Sequence, residues 1–103
     1  MALSNASLST AVANIYVSNG NTVISTMYFT NTSASAVNLN VFLLPTGNVT
    51  ANVLNQVYSQ VQIAANDTFV VDWEKLVLNS GDQIRANASA NTALNATISY
   101  TGI

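Results

Sequence analysis

Apolar and polar residues alternate with period two in short runs along most of this chain, and turn-forming residues separate the runs. Successive side chains of a β-strand point to opposite faces, so each run can bury one face and leave the other in water. Helical spacing is nearly absent, and the chain is therefore expected to be all-β. The runs are Ala11 to Val17, Thr22 to Thr30, Val37 to Leu44, Val57 to Ala64, Thr68 to Trp73, Gln83 to Ser89 and Leu94 to Tyr100, with a short apolar stretch at Val77-Leu78. About seven or eight strands at intervals of roughly 8 to 12 residues suit a two-layer antiparallel β-sandwich, immunoglobulin-like or jelly-roll.

Individual runs carry sharper expectations. Ser18-Asn19-Gly20-Asn21 reads as a tight hairpin turn, because Asn-Gly supplies the positive φ such a turn demands. Val23, Ile24, Met27, Tyr28 and Phe29 put apolar groups on both faces of the second run, which marks a central strand. In the third run Val37, Leu39, Val41 and Leu43 point one way and Asn38 and Asn40 the other. Phe42 and Leu44 interrupt the polar face, which places them at a contact. In the fourth, Val57, Ser59, Val61 and Ile63 oppose Tyr58, Gln60 and Gln62. Residues 48–56 read as loop, and Trp73 to Leu76 as a single helical or 3₁₀ turn. Asn79-Ser80-Gly81-Asp82 is a turn in which Asp82 accepts from backbone N–H groups. At 103 residues the chain divides into an N-terminal arm, 1–10, and a single sandwich domain, 11–103.

The charge content is unusual. Only 6% of residues are Asp, Glu, Lys or Arg, against about 25% in a typical globular domain. Asn, Ser, Thr and Ala take their place, in runs such as Asn87-Ala88-Ser89-Ala90-Asn91-Thr92. Free monomers usually stay soluble through charges of both signs. A surface this poor in charge implies burial in an assembly, the alternative being a secreted, glycosylated domain. Nothing here forms a basic patch for nucleic acid or an anionic membrane, and no run is long enough for a membrane helix. Met1 to Ala13 has neither the basic start nor the apolar run of a signal peptide.

Chemistry is equally constrained. There is no His and no Cys, and the acids are Asp67, Asp72, Glu74 and Asp82. Asp72 and Glu74 share a strand face at i and i+2, but Lys75 beside them fits a solvated edge better than a carboxylate pair. Serine hydroxyls have no base to activate them. Oxygen ligands at Asn66-Asp67 or Asn79 to Asp82 supply one carboxylate per turn, too few for calcium. No enzyme activity, cofactor or metal is expected. Asn-x-Ser/Thr triplets at Asn5, Asn31, Asn48, Asn66, Asn87 and Asn95 follow from the composition. Tyr16, Tyr28, Phe29, Phe42, Tyr58, Phe69, Trp73 and Tyr100 could build a sugar platform, but alternation assigns most of them to the core.

Ile15-Tyr16-Val17-Ser18-Asn19-Gly20-Asn21-Thr22, Phe29-Thr30-Asn31-Thr32-Ser33, Ala65-Asn66-Asp67-Thr68, Lys75 to Ile84 and Asn95-Ala96-Thr97-Ile98-Ser99-Tyr100 together resemble small structural proteins of tailed bacteriophages, of the cyanophage-like kind. The resemblance spans most of the chain in turn and strand patterns of modest specificity. It implies a β-sandwich component of the virion, present in several copies as a capsid decoration protein or a neck, tail or baseplate module. Coat, neck or tail subunits would then be its partners, with a homo-oligomer such as a trimer or ring. It carries over no catalytic residue. The candidate interface residues are Met1, Leu3, Leu8, Phe42, Leu44, Tyr58 and Ile103, with the N-terminal arm able to add a strand to a neighbour. A receptor- or glycan-binding module is the alternative.

Overall fold

The computed structural model describes residues 2–47, 56–72 and 76–102. Those residues form nine strands and no helix: β1 (Ala2–Ser7), β2 (Ala13–Val17), β3 (Thr22–Asn31), β4 (Val37–Leu44), β5 (Gln56–Ile63), β6 (Thr68–Val71), β7 (Leu76–Leu78), β8 (Gln83–Ala88) and β9 (Leu94–Gly102). One sheet runs β1-β9-β3-β6, with β7 also on β3, and the other runs β2-β8-β4-β5. Every pair is antiparallel.

The pairing is nested. β1 meets β9, β2 meets β8, β3 meets β6 and β7, and β4 meets β5. β6 and β7 lie along successive stretches of the same side of β3, so they act as one interrupted strand. A folded-over ribbon of this kind, rolled so that β3 pairs β9 and β4 pairs β8, is a jelly roll. Between the expected sandwich topologies, the connectivity selects this one.

The core lies between the sheets. Ile24, Met27 and Phe29 of β3 and Leu94, Ala96 and Ile98 of β9 meet Leu39 and Val41 of β4 and Ile84, Ala86 and Ala88 of β8. Phe29, Leu39, Val41, Ile84, Leu94 and Ile98 have no measurable exposure. Each large side chain among them contributes about 1.5–3 kcal/mol through burial.

Two expectations change here for reasons of register, and a third gains a bulge. β2 and β3 belong to opposite sheets, so Ser18 to Asn21 crosses the end of the sandwich and is no hairpin. Gly20 does have positive φ, +84°. The turn is held across the gap instead: Ser18 N–H donates to Asp82 O, and Gly81 N–H to Ser18 O, both at 2.9 Å. β3 is central and apolar on both faces as expected, with Ile24, Met27 and Phe29 inward and Val23 and Tyr28 outward, but a bulge sets that division. Ser25 and Thr26 together oppose Ser99, and this bulge resets the alternation so that Ile24 and Met27 both face inward. In β5 the pairing with β4 shifts around Gln60, whose φ is +56°. Tyr58, Val61 and Ile63 therefore pack on the core, and Val57 is exposed.

The N-terminal arm is also part of the sheet, since residues 2–7 pair with β9 in unbroken register. The strand expected to be added to a neighbour is the edge strand of the chain's own sheet. Residues 48–55 and Trp73 to Lys75 lie outside the described residues.

Two polar anchors fix the ends of the sandwich. Asn31, at 0% exposure, donates to Ser35 O at 2.8 Å, Ile63 O at 3.0 Å and Ala64 O at 3.2 Å. Its Oδ1 accepts from Ser33 N–H at 2.9 Å and the Ser33 hydroxyl at 2.7 Å. The side chain thus ties β3 of one sheet to the end of β5 in the other, and its buried, donating amide nitrogen leaves no room for a glycan in this fold. At the opposite anchor the Asp82 carboxylate accepts from Thr46 N–H at 2.7 Å, the Thr46 hydroxyl at 2.8 Å and Asn79 N–H at 2.9 Å. Burial by itself would raise the Asp82 pKa; the bonds from Asn79 and Thr46 outweigh it and hold the carboxyl below its ordinary value.

Candidate assembly interface

Residues directly opposite in an antiparallel pair share a face, so the registers assign every strand position. On the outer face of the β1-β9-β3-β6 sheet one row reads Asn5, Thr97, Tyr28 and Val70. A second reads Ser7, Asn95, Thr30 and Thr68, a third Leu3, Ser99 and Thr26, and a fourth Thr101, Val23 and Val77. No charged residue occurs in these rows. Leu3 is 67% exposed, Val77 53%, Val70 47% and Tyr28 39%. The face carries few internal bonds: Thr97 Oγ1 donates to Asn5 Oδ1 at 2.9 Å, Ser25 Oγ to Ser99 Oγ at 2.9 Å, and the Thr30 and Thr68 hydroxyls lie 3.2 Å apart.

The outer face of the β2-β8-β4-β5 sheet is built differently. Asn40 Nδ2 donates to Asn87 Oδ1 at 3.0 Å, while Asn40 Oδ1 accepts from Gln60 N–H at 2.8 Å and Gln56 Nε2 at 3.1 Å. Asn38 Nδ2 reaches Gln60 Oε1 at 3.1 Å. Arg85 Nε lies 2.8 Å from Asn14 Oδ1 and 3.0 Å from Gln83 Oε1. Amides and the guanidinium thus bond across all four strands.

Of the candidate interface residues, Leu3 is presented on the first of these faces. Leu8 is 3% exposed and belongs to the core, Leu44 is 1% exposed and Phe42 8%. Covered within the folded chain, these three side chains have little area left to lose on association, and only Leu8 belongs to the core cluster. The alternation in β4 itself is as read: Leu43 lies opposite core residue Ile84, whereas Phe42 lies opposite Arg85. Leu44, opposite Gln83, lines a shallow cleft of about 130 Å³ with Pro45, Leu76 and Leu78. Tyr58 is half-buried against the core, its ring edge-on to Phe69 at 5.5 Å, since the β5 bulge turns it inward. Met1 and Ile103 lie outside the described residues. Tyr28, Val70 and Val77 are exposed apolar positions beyond those candidates, and the parity of their own runs places Tyr28 and Val70 on the solvent side.

Among the described residues no group of His, Cys, Asp or Glu could hold a metal ion, and Glu74 of the Asp72 pair is outside them. The chain matches no protein-family model, no curated protein and no solved structure.

Proposed function

We propose that the chain is a non-enzymatic structural subunit of a tailed-phage virion, a capsid decoration or cement protein or a neck, tail or baseplate module. One observation carries the proposal: among the described residues the paired rows of one sheet face hold no charged side chain and display Leu3, Tyr28, Val70 and Val77 to solvent. Covering such half-exposed side chains contributes about 1 kcal/mol each. The four together contribute about 4 kcal/mol, which only matches the smallest cost of a bimolecular association, roughly 4–15 kcal/mol. The face therefore suits a subunit held by several neighbours at once more than a tight binary complex. The jelly roll supports the proposal by analogy, being a recurrent fold of capsid and lectin domains.

Mass spectrometry of purified virions from the source lysate tests it. The chain is expected in multiple copies per particle, and Tyr28→Lys is expected to be excluded from particles while folding normally. Virions lacking the chain would sink the proposal. A glycan-binding role rests on Tyr28 alone, the aromatic most open to solvent among the described residues; binding of the wild-type chain on a glycan array, abolished in Tyr28→Ala, would favour it.

A further inference from the structure

The four sheet edges are not equally protected. β2 carries a bulge between Asn14 and Tyr16, and β5 carries register shifts and the positive φ of Gln60. The β6 and β7 edge is broken into strands of 4 and 3 residues, with exposed Asp72 directly after β6. Bulges, short strands and charges are the devices by which natural sheets prevent edge-to-edge pairing. β1 has none of them: six residues, Ala2–Ser7, in unbroken register, without proline, glycine or charge.

The phase of its hydrogen bonds is fixed by Leu8 N–H, which donates to Leu94 O at 2.9 Å. Antiparallel ladders alternate with period two. Ser4 and Ala6, in step with Leu8, therefore bond to β9, and the N–H and C=O groups of Leu3, Asn5 and Ser7 point off the edge. Their side chains lie on the outer, charge-free face.

We propose that β1 is a self-association edge, pairing antiparallel with β1 of a second copy about a two-fold axis through Asn5. Directly opposite residues must share a face, so a two-fold perpendicular to the sheet pairs positions of equal parity. Centring on Asn5 brings all the outward-pointing groups into register: Leu3 opposite Ser7 of the second copy, Asn5 opposite Asn5, and Ser7 opposite Leu3. This arrangement makes about six backbone hydrogen bonds. The occupant is a second copy because the edge is neutral throughout, so identical strands meet without like charges in opposition, and because the two-fold leaves both uncharged faces on the same side as one surface. The pairing does not depend on a virion location.

The chain has no cysteine, which makes a cross-linking test unambiguous. Paired residues that exchange both hydrogen bonds have Cα atoms about 5.5 Å apart, inside the range of a disulfide, about 4.4–6.8 Å. The full chain carrying Asn5→Cys is expected to oxidise to a covalent dimer, and the same chain carrying Thr68→Cys, on the opposite edge, is expected to stay monomeric on a denaturing gel. In sedimentation velocity the wild-type chain is expected to be dimeric. Asn5→Pro removes an outward-pointing N–H, and Asn5→Lys sets two ammonium groups against each other; each also removes the exposed bond from Thr97, and both are expected to lose the dimer with little change in thermal unfolding of the monomer. A wild-type monomer at about 100 times typical micromolar assay concentrations, or a dimer that survives both substitutions while Asn5→Cys fails to cross-link, overturns the proposal. Failure of these tests leaves the virion assignment standing, and absence from virions leaves the edge pairing standing.

Discussion

The two outer faces of the sandwich use neutral polar residues to opposite ends. On the β2-β8-β4-β5 sheet, Asn and Gln amides are donors and acceptors at once and bond to each other across strands, as Asn40 does with Asn87, Gln56 and Gln60. That face satisfies its amides internally, although it too exposes Val17 and Val57. On the β1-β9-β3-β6 sheet the same positions hold Thr, Ser, Val and Tyr, whose methyl groups and ring remain in water. A chain with little charge can thus build one surface that satisfies itself and one that gains by being covered.

That contrast can be broken or sharpened by substitution. The largest effect is expected at Asn31, which holds the two sheets in their relative positions. Asn31→Ala leaves several buried backbone and hydroxyl groups without a partner and should cost about 3 kcal/mol, measured by urea denaturation. Next comes Asn40→Ala, which removes the hub of the amide face and should cost about 1.5 kcal/mol by the same measurement. A smaller, pH-dependent effect is expected at Asp82. Its folded-state pKa is depressed, so its contribution is present above the ordinary value of 3.8 and is lost as pH falls through the lowered folded value. Asp82→Asn should flatten the acid limb of the thermal-melting profile, and an unchanged limb would show that other groups set it. The smallest effect on stability belongs to Tyr28→Lys and Val70→Lys, within about 0.5 kcal/mol. Should these two prove as costly as Asn40→Ala, the proposed division between a self-satisfied face and one to be covered fails.

The strand pattern was legible in the sequence wherever alternation ran unbroken, as in Gln83 to Ala88 and Leu94 to Tyr100. It misled wherever a bulge reset the parity. Tyr58 seemed to face outward because nothing in Ser59-Gln60 announces a positive φ, a conformation more usual for Gly or Asn. The Asn19-Gly20 turn was real in its chemistry and misread in its context, since φ at Gly20 does not say which sheet the next strand will join. Leu8 reads as part of an arm because its backbone partner, Leu94, lies at the far end of the chain. The low charge is visible in the composition, but which apolar side chains each face exposes became visible only with the register.

Nested pairing also dictates an order of events. The cost of closing a loop rises with the logarithm of its length, so β4 and β5, adjacent in the ribbon, close first, and β1 with β9, at opposite ends of the chain, close last. A nascent chain consequently carries β1 unpaired until β9 has been made, and a neighbouring copy's β9 presents the same register during that interval. Concentrated synthesis of this protein therefore favours exchange of the first strand between copies, and slow refolding at high concentration should trap exchanged forms that dilution alone does not resolve.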